Sequence, residues 1–199
     1  MENGRTRILD EAARLFLAQG YAETTLRDIA DAVGIKAGSI YYHFDSKERL
    51  LGEILDQGID RITAELDAAL TGAADDPADR LRAAIGAHLR ALFEHGPYTT
   101  AHVGVFGAAP AEVRRAGTPA RDAYEKRWAD LLADAERGGL VDAAVDLHVA
   151  RLALLGMMNA TLDWYRPDGD RTLDDVADTM AAVVLGGLLT TRPAPPETP

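Results

Sequence analysis

The sequence predicts an all-α protein, in which a small N-terminal helix-turn-helix domain precedes a larger helical domain. Three observations support this prediction. Apolar residues recur at helical spacing through almost the whole chain. No segment alternates apolar and polar residues over a useful strand length, and the sequence has no internal repeat. The first three helical segments are short, and Gly20 and Gly34 separate them, which is typical of a helix-turn-helix unit.

Sequence signals mark the helices of the first domain, which we place at residues 1–47. The first helix has an apolar stripe formed by Ile8, Ala12, Leu15 and Phe16. Thr25 precedes the second helix, and Asp28 three residues later completes a capping box. Residues 36–44 predict a third helix, and Ser46 is the expected cap of a fourth.

The second domain, placed at residues 48–190, continues with helical segments. The fourth helix bears an apolar stripe from Leu51 to Leu66, and a fifth begins at Asp76-Pro77. Further helices are expected over 99–106, 120–137, 146–166 and 173–188. Residues 107–119 are rich in Gly, Pro and Ala, so we expect a mobile connection there. Residues 191–199 form a Pro-rich tail that we expect to be disordered.

The last two helices are candidates for dimerisation. Segment 146–166 is apolar nearly all round, which is more than burial on one side requires. Residues 173–188 carry one clean apolar stripe, and Gly186-Gly187 allows close approach. We predict a four-helix bundle between two copies, with a monomer that buries both helices internally as the alternative.

Composition narrows the functional classes. The 199 residues include no cysteine, which excludes disulfides and thiolate zinc sites. No apolar run is long enough for a signal peptide or a membrane helix, so we expect a cytoplasmic protein without a membrane partner. The net charge of -11 argues against nucleic acid as a partner of the whole chain. Most of that charge lies beyond residue 50, however. The N-terminal domain, which we call the head, is therefore the part suited to a polyanion. The alternative is that this uneven distribution of charge arises by chance.

The third predicted helix has an unusual outward face. At 100° per residue, Ile40 and Phe44 point together towards the small core. Gly38 and Tyr42 fall on the opposite side. A glycine lets the backbone approach a base edge or a phosphate, and a tyrosine hydroxyl donates to phosphate oxygens. This face therefore suits contact with duplex DNA.

Neighbouring residues complete a candidate DNA-binding surface. Lys36 and Ala37 lie at the helix N-terminus, where free amides favour anions. Lys47 and Thr25, at the starts of two other helices, are further candidates for phosphate contact. Three alternatives remain open: a half-buried scaffold role for one of the two adjacent tyrosines, a wedge between helices for His43, and a solvated surface position for Lys47.

Residues 8–55, ILDEAARLFLAQGYAETTLRDIADAVGIKAGSIYYHFDSKERLLGEIL, resemble the tetracycline-repressor (TetR) family of bacterial regulators. The resemblance implies an N-terminal DNA-binding domain, a larger ligand-binding and dimerisation domain, and an Ω-shaped homodimer. The DNA contacts that it implies fall on Thr25, Lys36, Ala37, Gly38, Tyr41, Tyr42, His43 and Lys47. Because Ala37 offers only a methyl group, specificity is expected to depend on Lys36, Ser39 or apolar contact with thymine.

The effector pocket is expected among helices five to eight. Its candidate lining residues are Leu92, Phe93, Phe106, Tyr124, Trp128, Met157 and Asn159, with plain core packing as the alternative for each. Residues 159–188, NATLDWYRPDGDRTLDDVADTMAAVVLGGL, also resemble the C-terminal end of TetR-family repressors that respond to acyl-CoA thioesters. The WYRPDG stretch also reads as a plain helix end and turn. An acyl-CoA carries phosphates that need cations, and Arg114, Arg115 and Arg166 are available. A drug or another apolar metabolite, which needs no cation, is the alternative effector, and no cofactor is expected.

Catalysis is not expected from this sequence. His88, His95 and His102 are spaced by seven residues, but Pro97 interrupts any shared helix and no carboxylate pattern completes a metal site. No glycine-rich phosphate loop is present. The sequence therefore favours a regulator that binds an operator duplex and a small molecule, with a helical protein-binding module as the distant alternative.

Overall fold

All regular structure between residues 4 and 188 is helical, which confirms the predicted fold class for these residues. The structure is a computed structural model that describes residues 4–188, so the predicted tail lies outside the described residues. The helices are α1 (Gly4–Gln19), α2 (Leu26–Val33), α3 (Ala37–Ile40), α4 (Lys47–Gly72), α5 (Pro77–Glu94), α6 (Pro97–Val105), α7 (Ala111–Arg137), α8 (Leu147–Asn159), α9 (Thr161–Trp164) and α10 (Leu173–Leu188). A 3₁₀ turn, Phe106–Ala108, follows α6. None of the helices in this range is long and apolar enough to cross a membrane.

The described chain divides into two compact units. The first contains residues 4–68 and 87–125, and the second contains residues 69–86 and 126–188. The predicted boundary between residues 47 and 48 falls inside the first unit, because α1 packs against α6. The head therefore shares its core with helices of the second predicted domain.

The core of the head follows from the apolar pattern of its three helices. Ile8, Ala12 and Phe16 of α1 are buried together with Ile40 and Phe44, as the sequence predicts. Helices α2 and α4 contribute further fully buried side chains to this core, namely Ile29, Ala30, Leu50, Leu51 and Ile54. This packing leaves the opposite side of α3 facing outwards.

Capping fixes the ends of α2 as predicted. The Thr25 hydroxyl accepts from the Asp28 amide at 3.1 Å, and the Asp28 carboxylate accepts from the Thr25 amide at 2.8 Å. Gly34 ends the helix with a φ of 76°, a conformation that glycine adopts without a steric penalty.

The third helix is shorter than predicted. The sequence predicts a helix over residues 36–44, but α3 ends at Ile40 and the chain continues in turns. The Tyr42 amide donates to the Ser39 carbonyl at 3.3 Å, and the His43 amide donates to the Ile40 carbonyl at 2.8 Å. These bonds span three residues rather than four, so the chain tightens after one helical turn.

The prediction of a mobile connection over 107–119 was wrong. After the 3₁₀ turn, α7 begins at Ala111 and runs through Pro119, although proline removes a helical donor and crowds the preceding turn. Val113 is buried, and Gly117 lies so close to Phe106 that an added Cβ would be 2.9 Å from its ring. Packing of this segment therefore outweighs its local preference for a loop.

The second unit contains well-capped helices around an apolar interior. Asp76 accepts from two amides at the start of α5, which confirms the predicted cap. Asp146 caps α8 in the same way. Segment 146–166 is not one helix: α8 ends at Asn159, and α9 resumes at Thr161, whose hydroxyl donates to the Met158 carbonyl at 2.6 Å.

Candidate nucleic-acid interface and effector site

The outward side of α3 and its following turn is exposed. Tyr42 is 88% exposed and Tyr41 is 60% exposed, whereas Ile40 is fully buried. Lys36, Ala37, Gly38 and Ser39 are also exposed. The exposure of Tyr42 excludes a half-buried scaffold role for that residue, whereas Tyr41 is partly covered. We call residues 36–42 without Ile40 the α3 face.

Gly38 has no role in packing within the protein. A Cβ built on Gly38 meets no atom within 4 Å, and its φ lies outside the region that favours glycine. The chain itself would accept alanine here, which has a higher helix propensity by about 1 kcal/mol. The structure therefore leaves room for an external partner to approach the backbone at Gly38.

His43 is half-buried beside this face. Its ring meets the Tyr42 ring edge-on, with centroids 5.2 Å apart at 89°. His43 therefore supports the orientation of Tyr42, and a phosphate contact by His43 stays a prediction.

Lys47 is held by the head rather than solvated. Its Nζ donates to the carbonyls of Tyr21 and Thr24, both at 2.8 Å, and lies 4.1 Å from the centroid of the Tyr21 ring. The Tyr21 hydroxyl donates in turn to Glu48 at 2.9 Å. Burial, followed by this bond to Glu48, raises the pKa of Tyr21. Two of the three ammonium donors of Lys47 thus fix the loop between α1 and α2, and the third is the one left for a phosphate.

Thr25 is exposed at the start of α2, but its hydroxyl is engaged. It donates to the Asp28 carboxylate at 2.7 Å and accepts from the Asp28 amide. The bonds from Thr25 hold the pKa of the Asp28 carboxyl below its usual value. A phosphate bound by the Thr25 hydroxyl must therefore compete with the Asp28 carboxylate for its proton.

The predicted effector residues belong to both units. Leu92, Phe93, Phe106 and Tyr124 lie in the first unit, whereas Trp128, Met157 and Asn159 lie in the second. The following members are buried: Leu92, Phe106, Tyr124 and Trp128. Met157 lines a groove of about 270 Å³ between α8 and α10. Their shared role in ligand binding stays a prediction.

Tyr124 forms a buried polar pair with His88, which the sequence did not predict. The Tyr124 hydroxyl lies 2.7 Å from Nδ1 of His88, which is only 2% exposed. A polar residue within the apolar pattern of α5 was the available sequence signal, but the partner is 36 residues away in the chain.

The candidate phosphate-binding arginines have different surroundings. Arg114 lines a groove next to Phe106, together with Arg121, which sequence reasoning missed. Arg115 is exposed and does not line this groove. Arg166 is exposed and donates to carbonyls of its own turn, those of Tyr165 at 3.0 Å and Asp163 at 3.2 Å.

Helices α4 and α6 cross closely inside the first unit. A Cβ on Gly58 would be 2.4 Å from the Tyr98 carbonyl oxygen and 2.7 Å from Cβ of His102. Nδ1 of His102 lies 2.9 Å from the Leu55 carbonyl and donates to it, because a carbonyl only accepts. Burial lowers the pKa of His102 to about 4. His102 is thus a neutral structural residue near pH 7.

The start of α6 is also bound to the head. The Tyr98 hydroxyl donates to the Asp10 carboxylate of α1 at 2.5 Å. The Arg61 guanidinium of α4 lies 4.3 Å from the centroid of the Tyr98 ring.

Between residues 4 and 188, no group of three or more His, Asp or Glu side chains is arranged to hold a metal ion.

Comparison with known proteins identifies the family. Residues 8–54 match the model of bacterial regulatory proteins of the tetR family, and residues 74–188 match the model of the tetracyclin repressor-like C-terminal domain. The HTH-type transcriptional repressor KstR2 of Rhodococcus jostii is 32% identical over 192 residues, which cover 92% of this chain and 90% of the relative.

Solved structures agree with these matches. The TetR-family regulator PfmR from Thermus thermophilus superposes with a TM-score of 0.79 at 34% identity, covering 92% of this chain and 98% of PfmR. AibR, solved in complex with isovaleryl coenzyme A and operator DNA, superposes with a TM-score of 0.81 at 26% identity, covering 91% of this chain and 97% of AibR. The chain therefore belongs to the TetR family of bacterial regulators.

Proposed function

We propose that the chain is a transcriptional repressor that binds a pseudo-palindromic operator through the α3 face and leaves it when an acyl-CoA binds. The observation that carries the DNA-binding part is the α3 face itself, where Gly38 serves no internal packing and Tyr42 is 88% exposed. A recognition helix of this kind enters the major groove with its N-terminal residues at the base edges.

Each residue of the α3 face has a proposed role. Lys36 and Ser39 supply the hydrogen-bond donors for bases, and Ala37 supplies a methyl for a thymine methyl. Gly38 allows the backbone to approach the groove, and the Tyr42 hydroxyl donates to a phosphate. Tyr41, His43, Thr25 and Lys47 complete the proposed set of phosphate contacts.

A second copy of the chain is the proposed partner of the α8–α10 surface. Val149 and Leu152 of α8 and Val183 of α10 are each at least half exposed, and Val183 lines the same groove as Met157. Exposed apolar side chains in one continuous surface favour an interface between copies. A two-fold dimer requires matched half-sites in the operator, about one helical turn apart or more.

An acyl-CoA is the proposed effector. The support is the likeness of residues 159–188 to acyl-CoA-responsive repressors and the isovaleryl coenzyme A in the AibR structure. The effector can release DNA only if it binds the free shape more tightly than the DNA-bound shape.

Selection of bound sequences from random duplex DNA tests the proposal. We expect the bound duplexes to share a two-fold symmetric motif. If no sequence is enriched over the random pool, the proposed DNA-binding function is wrong and a protein-binding module is favoured. The selected duplex is then titrated with a panel of acyl-CoAs and the matching free acids. Release by the thioesters supports the acyl-CoA effector, whereas release only by apolar compounds without coenzyme A favours a drug or another apolar metabolite. Equilibrium sedimentation checks the dimer, which a monomer at micromolar concentration would contradict.

A further inference from the structure

A groove of about 460 Å³ lies between the end of α6 and the middle of α7. We call it the Phe106 groove, since the Phe106 ring forms part of its wall together with Arg114, Thr118, Arg121 and Asp122. All of these residues belong to the first unit.

Arg121 lies against the Phe106 ring and forms only a long ion pair with a carboxylate of the chain. Its guanidinium lies 4.4 Å from the centroid of the Phe106 ring, and its side chain is only one-third exposed at 33%. The nearest carboxylate oxygen, on Glu125, is 3.8 Å away, which is beyond hydrogen-bonding distance. Within residues 4–188, the five donors of this guanidinium have no hydrogen-bond acceptor. A stacked, partly desolvated guanidinium binds a phosphate more strongly than a fully solvated one does.

Arg114 is held at the same groove with donors to spare. Its Nη1 donates to the carbonyls of Ala109 at 2.7 Å and Gly107 at 3.3 Å. These bonds fix the guanidinium against the 3₁₀ turn. Its Nε and Nη2 bond to no acceptor in the part of the chain that the structure describes. The ordering cost of this arginine is therefore largely met before a ligand arrives.

The remaining polar residues of the groove select an organic phosphate over a bare inorganic one. The Asp122 carboxylate repels a free anion but accepts hydrogen bonds from hydroxyl or amide groups. The Thr118 hydroxyl already donates to the Arg114 carbonyl at 2.8 Å, so its oxygen is also left as an acceptor. A ligand that suits all four side chains carries phosphates together with hydrogen-bond donors. Coenzyme A has both, in its phosphates and in its ribose and pantetheine groups.

We propose that the Phe106 groove binds the phosphate-bearing part of the acyl-CoA effector, with Arg121 and Arg114 as the phosphate ligands. This inference rests on the acyl-CoA effector proposed above and assigns the coenzyme A part to one place. It also separates the three arginines that the sequence offered. Arg114 binds the ligand, together with the unpredicted Arg121, whereas Arg115 and Arg166 do not.

Calorimetric titration of the full-length protein with two probes tests this assignment. The first probe is isovaleryl-CoA, followed by longer acyl-CoAs if it does not bind. The second is the pantetheine thioester of the same acid, which lacks the phosphates. Arg121→Gln and Arg114→Gln are each expected to weaken acyl-CoA binding on the order of 10- to 100-fold, the loss of a charge-assisted hydrogen-bonded pair. Both variants should bind the pantetheine thioester as the wild type does.

Arg115→Gln is the matched control, since it removes the same charge one residue away outside the groove. We expect wild-type affinity for it. Two results would overturn the proposal that the Phe106 groove binds the phosphates. One is equal affinity of the wild type for the acyl-CoA and its pantetheine thioester, and the other is unchanged acyl-CoA affinity in both groove variants. If Arg121→Gln does not fold, Arg114→Gln and the two probes still test whether the groove binds the phosphates. Failure of every acyl-CoA to bind the wild type overturns the proposed effector itself, so the two failures are distinguishable.

Discussion

Lys47→Met should destabilise the head as well as weaken DNA binding. The substitution removes the ammonium that bonds to the Tyr21 and Thr24 carbonyls at 2.8 Å and leaves most of the aliphatic stem in place. The loop between α1 and α2 then loses two of its bonds to α4, while the bond from the Tyr21 hydroxyl to Glu48 remains. That loop leads directly into Thr25, the cap of α2 and a proposed DNA contact.

The structure sets the size of this effect. A hydrogen bond from a charged donor contributes about 1.5–3 kcal/mol where it is buried, and less where water can replace it. The contact of the ammonium with the Tyr21 ring adds about 0.5–1 kcal/mol. Since Lys47 is half-buried and such contributions are not additive, we expect a total loss of about 2–3 kcal/mol in the free energy of unfolding. The Lys36→Met control removes the same charge from an exposed position without a side-chain cap bond, and should change stability by less than about 0.5 kcal/mol.

Urea unfolding at one fixed protein concentration measures the stability difference. Hydrogen exchange of the amides in residues 20–25 shows whether the opening is local. Binding to the selected operator across a salt series measures the third ammonium donor. If that donor contacts a phosphate, Lys47→Met makes the log–log salt slope shallower by about 0.9 per protomer. Equal stability of the two methionine variants would refute the anchoring role, and an unchanged salt slope would remove the phosphate contact.

Three further changes test the packing and capping of the first unit. Gly58→Ala forces a Cβ against the Tyr98 carbonyl and should cost about 1–3 kcal/mol in unfolding free energy, whereas Gly52→Ala on the same helix meets open space and should stabilise by up to about 1 kcal/mol. Because burial lowers the pKa of His102 to about 4, the folded state binds fewer protons than the unfolded state between pH 6.5 and 4. Stability should fall as the pH is lowered through that window, and His102→Gln should flatten this part of an unfolding free energy–pH curve. Thr25→Ala removes the α2 cap and should cost about 1 kcal/mol in urea unfolding, while Thr25→Ser should retain most of it.

The helical pattern was readable from the sequence wherever one face of a helix meets a core. The stripe of α1 and the capping box of Thr25 and Asp28 depend on neighbours within one or two turns, so local reasoning locates them. The start of α7 was not readable in this way. Gly117 and Pro119 favour a loop locally, whereas the burial of Val113 and the packing of Gly117 against Phe106 depend on contacts outside α7.

The candidate sites show the same division between local and distant information. The helical wheel correctly placed Tyr42 outside and Ile40 inside, although α3 ends at Ile40 and Tyr42 lies in the following turn. The bonds of Lys47 could not be foreseen, since the chain separates it by 26 residues from Tyr21 and by 23 from Thr24. Arg121 was missed for a similar reason: its importance lies in its position over Phe106 and not in any motif.

The charge distribution gives the anchored head a particular importance. The protein carries a net charge of -11, and Lys36 is the only formally charged residue of the α3 face. In the proposed complex, the α3 face therefore releases few counterions, and Lys47 is the other lysine of the proposed contact set. The proposed complex depends largely on neutral hydrogen bonds and close contact, through Ser39, Tyr42 and the bare backbone at Gly38. Such contacts lose strength over displacements of a few tenths of an ångström, whereas a screened charge tolerates them. The proposed mode of binding needs a fixed geometry of the head, to which the packing of Ile40 and the bonds of Lys47 contribute.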